Sequence, residues 1–97
     1  MDTYVIVRRS GWRTHAEVDA ATARSSEEDQ RMEEDVAWIR SYVLGERDGT
    51  VGMVCIFQAS SPEAIRRHAS ASDLPVDEIV KVADTIVLRP DPAATAA

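Results

Sequence analysis

The sequence is short of several things, and each shortage excludes something. One cysteine in 97 residues leaves no pair for an internal disulfide and agrees with a reducing compartment. No apolar run approaches the roughly 20 residues a membrane span needs, and no signal-peptide pattern opens the chain. The expectation is a cytoplasmic protein with no membrane partner. Cations are also scarce: 11 Lys and Arg stand against 17 Asp and Glu, a net charge of -6. Without a basic stripe the phosphate backbone has little to hold, so nucleic acid is not expected as a partner. Neither GxxxxGK[ST] nor GxGxxG occurs, and no CxxC, HxxxH or nucleophile elbow is present. What remains, 44% hydrophobic and 29% charged, is an ordinary globular balance. It suits one domain over residues 1–90 and a frayed tail over 91–97.

Periodicity divides that domain into six elements. Thr3 to Arg9 is a β-branched and aromatic strand. Thr14 and Glu17 have capping-box spacing and open a helix to about Glu33, with Val18, Ala21 and Met32 as a thin apolar stripe. Its acidic end, Glu27 to Asp35, reads as a solvated face weakened by like-charge repulsion. Val36 to Leu44 and Val51 to Gln58 are strands joined by a turn at Asp48-Gly49. Ser60-Ser61-Pro62-Glu63 starts a second helix that ends near Ser72. A last strand follows Val76, clearest over Ile79 to Leu88, and stops at Arg89-Pro90-Asp91-Pro92.

The order β-α-β-β-α-β specifies an α+β, ferredoxin-like sandwich: a four-stranded antiparallel sheet with two helices on one face. Strands one and three should be central, and both are apolar on both faces: Tyr4 and Ile6 against Val5 and Val7, Met53, Cys55 and Phe57 against Val54 and Ile56. Two helices cover only one face. The other would leave a large apolar patch in water, and a homodimer is the expected remedy.

Few side chains can coordinate or react. Ala64, Ile65 and His68 share one stripe of the second helix, so His68 faces the sheet, where it must hydrogen-bond or bind something. It can be a satisfied core histidine or, with Cys55 as thiolate, a ligand of nickel, zinc or copper. Cys55 can equally be a small buried hydrophobe. His15 and Asp19, at i,i+4, form a weaker surface chelation candidate. Trp38 and Tyr42 fall on one face of strand two with Arg40 between them, and with Phe57 can line a pocket or a dimer interface.

Trp38-Ile-Arg-Ser-Tyr-Val43, Cys55-Ile-Phe-Gln-Ala59, Ser61-Pro-Glu-Ala-Ile-Arg-Arg-His-Ala69 and Leu74-Pro75 together resemble the small nickel-responsive, nickel-binding proteins best known from actinobacteria. The resemblance spans strand one to strand four and implies a dimeric ferredoxin-like fold that binds nickel or another divalent transition metal. Trp38, Tyr42, Cys55 and His68 occupy the matching positions. Phe57 stands where a tyrosine is frequent, which removes a hydroxyl. The leading expectation is therefore a metal-binding or metal-responsive protein without turnover. Its rival is a small-molecule-binding protein or cofactor-independent enzyme of the dimeric α+β-barrel kind, with His68 as general base in a pocket between helices and sheet.

Overall fold

A computed structural model describes residues 1–93 of the chain. The elements run β1 (Asp2–Trp12), α1 (His15–Arg31), β2 (Val36–Gly45), β3 (Val51–Ala59), α2 (Pro62–Ala71) and β4 (Glu78–Lys81). One antiparallel sheet has the order β2-β3-β1-β4, so β1 and β3 are central as their two-sided apolarity requires. This is the expected ferredoxin-like α+β arrangement. No helix among the described residues is long and apolar enough to cross a membrane.

Local chemistry sets the element ends. Thr14 caps α1 through its hydroxyl, which accepts from Glu17 N–H at 3.2 Å, while Glu17 accepts in return from the Arg13 N–H at 2.8 Å. Ser61 caps α2 by accepting from Ala64 N–H at 3.1 Å, with Pro62 in the first turn. The β2–β3 turn closes with Glu46 N–H donating to Thr50 O at 3.0 Å, and Gly49 supplies φ +86.

The helix-covered face of the sheet is the core. Tyr4, Ile6 and Arg8 of β1 point into it, as do Met53, Cys55, Phe57 and Ala59 of β3. Val18 and Ala21 of α1 and Ala64 and Ile65 of α2 close over them. Val5, Val7, Val54 and Ile56 lie half-buried on the opposite, open face. There Val80 and Tyr42 flank them on the two edge strands.

Two departures have clear causes. A bulge between Trp38 and Arg40 inserts Ile39 into β2. Trp38 pairs with Phe57 and faces the helices, whereas Arg40 and Tyr42 pair with Ile56 and Val54 and face the open side. Trp38 and Tyr42 therefore do not share a face: one extra residue reverses the alternation. The last strand is also four residues long rather than extending to Leu88. β4 pairs only with β1, and after Val82 N–H donates to Thr3 O at 2.8 Å the chain has nearly reached the start of β1 and has no further partner. The segment beyond runs to the far edge of the sheet on the open side, where Asp91 accepts from Tyr42 Oη and from Arg40. Of the expected frayed tail, residues 94–97 lie outside the described residues.

Candidate functional site

The chemistry-bearing side chains gather between the helices and the sheet. α2 carries His68 on the stripe that already holds Ala64 and Ile65, and its ring is fully buried. The ring packs edge-on against Phe57, centroids 5.1 Å apart, and Phe57 in turn stacks with Trp38 at 6.1 Å. His68 Nε2 lies 3.0 Å from the carbonyl oxygen of Ser25 on α1. A carbonyl can only accept, so Nε2 carries the proton and Nδ1 the lone pair. Burial pushes the His68 pKa below its ordinary value, against a smaller opposing effect of the Ser25 hydrogen bond, so the neutral form is favoured. Nδ1 is buried and has no hydrogen-bond partner. The imidazole is thus half a satisfied core group and half an unused nitrogen donor.

Cys55 lies on the helix-facing side of β3, buried and free. No hydrogen bond joins it to His68, whose Nδ1 is unpartnered. Cys55 lines a narrow cavity with Met53, Trp38, Ser25, Thr22 and Arg8. Trp38 Nε1 donates to Ser41 Oγ at 2.8 Å, and the Trp38 N–H donates to Asp29 Oδ1 at the same distance, so α1 pins this part of β2.

The remaining candidates are scattered. His15 and Asp19 are both exposed at the start of α1, away from the interior group. Tyr42 belongs to the open face with Arg40 and Asp91. Phe57 is core, at 1% exposure.

Arg8 is the functional candidate that sequence reasoning passed over. It is 1% exposed; its NH1 donates to the Pro75 carbonyl at 2.7 Å, and its Nε and NH2 are buried without partners. The signal was present, because Arg8 continues the two-residue alternation of Tyr4 and Ile6 and so points inward.

These residues fit a nickel-type metal in part. The unpartnered Nδ1 and a buried thiol are donors of suitable softness. Yet among the described residues no group of three His, Cys, Asp or Glu side chains stands ready to hold an ion. The Arg8 charge also acts on His68 in the sense that disfavours a second cation. His68 can anchor a metal; the chain's interior does not by itself enclose one.

Comparison with known proteins agrees with the fold. The crystal structure of SCO4226 from Streptomyces coelicolor A3(2) superposes with a TM-score of 0.69 at 18% identity, over 87% of this chain and 99% of that one. No curated protein matches. The description "Nickel responsive protein SCO4226-like" matches residues 4–82, and the chain belongs to that family.

Proposed function

We propose that the chain is a small cytoplasmic protein that responds to nickel or a similar divalent transition metal by binding it, without turnover. The observation that supports this reading is the buried His68 imidazole, held with its proton on Nε2 and its Nδ1 lone pair free, in a chain of a nickel-responsive family. His68 is the nitrogen ligand in this reading and Cys55 the second donor, as thiolate. Two donors from one chain leave coordination positions for water or for other ligands. Binding weakens as pH falls, since both donors must be free of the coordinating proton.

The same reading has two copies meeting through the open sheet face. Tyr42 and Val80 are 44% and 45% exposed there. Ile86, Val87 and Leu88, in the segment leading across that side, are 83%, 73% and 87% exposed. Such a run of uncovered aliphatic residues favours a second copy as the covering surface. Sedimentation at micromolar concentration reads this directly, and a monomer there would retire the dimer.

The enzyme reading gains no support from the cavity, whose room of about 10 Å³ is that of a single water-sized group. An aromatic or polyketide-like substrate does not fit it.

Calorimetric titration of tag-free, demetallated, reduced protein with Ni²⁺ and Zn²⁺ tests the proposal. A saturable site in the wild type that is lost in folded His68→Ala and weakened in folded Cys55→Ala is expected. No binding by the folded wild type would overturn it.

A further inference from the structure

The most costly group in the interior is Arg8. A guanidinium is charged at any accessible pH, and a buried charge is tolerated when it is paired and its donors are satisfied. Arg8 meets neither condition. Only NH1 is used, on the Pro75 carbonyl at 2.7 Å, while Nε and NH2 are buried and unpartnered. No ion pair to a carboxylate is found for Arg8 among the described residues. Its neighbour in sequence shows the contrast, since Arg9 takes Glu46 through both Nε and NH2 at 2.9 Å.

Arg8 lines the cavity that also meets Thr22, Ser25 and Cys55, with Trp38 and Met53 as apolar walls. The walls are mostly apolar, and no Asp or Glu is among the lining residues, so Arg8 meets no carboxylate counter-charge there. The room, about 10 Å³, is that of one water-sized group. A water molecule can accept from Nε or NH2 but leaves the charge uncompensated.

From the unpartnered, buried Arg8 guanidinium beside a small cavity free of carboxylates, we infer that this interior is a binding site for a single halide ion. The anion accepts from Arg8 Nε and NH2 and supplies the missing counter-charge. The site stands whether or not nickel binds, and an anion beside Arg8 would remove the repulsion that a divalent cation at His68 otherwise meets.

Thermal unfolding of the full chain, with sodium chloride exchanged for sodium gluconate at constant ionic strength, tests the site. The Tm of the wild type should rise and saturate, by on the order of 5 °C once the anion is well above its Kd, whereas Arg8→Met should show no such rise. Crystals soaked in bromide place the ion without any variant, and anomalous scattering within hydrogen-bond distance of Arg8 Nε and NH2 is the expected result. Water alone at that position, or equal salt responses in the wild type and Arg8→Met, would overturn the inference.

Discussion

The two faces of the sheet are made by the same strands and are alike in apolar character, yet they treat polar groups differently. On the open face and at the sheet margins, charges find each other. Arg40 and Tyr42 meet Asp91, and Arg9 meets Glu46, whose carboxyl the Arg9 hydrogen bonds hold below the ordinary carboxylate range. On the helix-covered face the polar atoms of Arg8 and His68 are only half used. Polar groups near water pair or hydrate at little cost, and such pairs add little stability. Polar groups in a dry core that stay unpaired are expensive and need another reason to be there. The covered face is where a ligand is expected, and the open face is where a second copy is.

The largest effects separate the faces by packing. Ile6→Ala, on the covered face of β1, should cost about 2–5 kcal/mol in denaturant unfolding. Ile56→Ala, half-buried on the open face of β3, should cost well under that range in the monomer. Equal losses would mean that the open face is as dry as the core, which a tight dimer would produce and an uncovered sheet would not.

Gly52→Ala should come next, at about 1–3 kcal/mol. A β-carbon at position 52 would lie 2.7 Å from the Arg8 carbonyl and 2.9 Å from Glu46 Oε2, where β1 bulges between Arg8 and Trp12. Unchanged stability in Gly52→Ala would show that the bulge gives way easily and does not set the position of Arg8.

A smaller, pH-dependent effect belongs to His68. Its folded pKa lies below the ordinary value of 6.5 because the ring is buried, so below that pH the unfolded chain binds the proton more readily. Stability should therefore fall as pH drops from about 6.5 toward the lower folded pKa, and this part of the fall should be absent in His68→Gln. Asp29 and Glu28 oppose the shift and Arg8 adds to it. Denaturant midpoints of the two proteins across that range read the difference, and parallel profiles would contradict a buried neutral imidazole.

The smallest effect is on the open face. Tyr42→Phe removes the hydroxyl that donates to Asp91. It should leave the unfolding midpoint within error while increasing amide exchange in the segment before Asp91. A clear loss of stability would make that segment part of the folded core.

Much of the fold was legible because it rests on period-two and helical patterns. Tyr4 and Ile6 against Val5 and Val7 place β1 in the sheet centre, and Thr14, Ser61 and Pro62 mark both helix starts. The Ala64, Ile65, His68 stripe likewise put His68 inside. Nothing in VAWIRSYVL distinguishes the inserted Ile39 from regular alternation, so the sequence pattern alone puts Trp38 and Tyr42 on one face. The shortness of β4 was also hidden. Residues 82–88 are rich enough in apolar side chains for a strand, but a strand needs a partner and β1 ends first. Arg8 is visible in the alternation of β1, but only the folded structure reveals that its Nε and NH2 lack partners.

One measurement tests the covered face against the surface as the proposed place of metal binding. The chain has two histidines, His68 inside and His15 on the surface, so nitrogen NMR of the imidazoles gives a signal for each. Addition of substoichiometric Ni²⁺, which is paramagnetic, to reduced protein should broaden the His68 Nδ1 resonance first and leave His15 sharp. Early broadening of His15 with an unchanged His68 would contradict an interior site and make any nickel response a property of the surface.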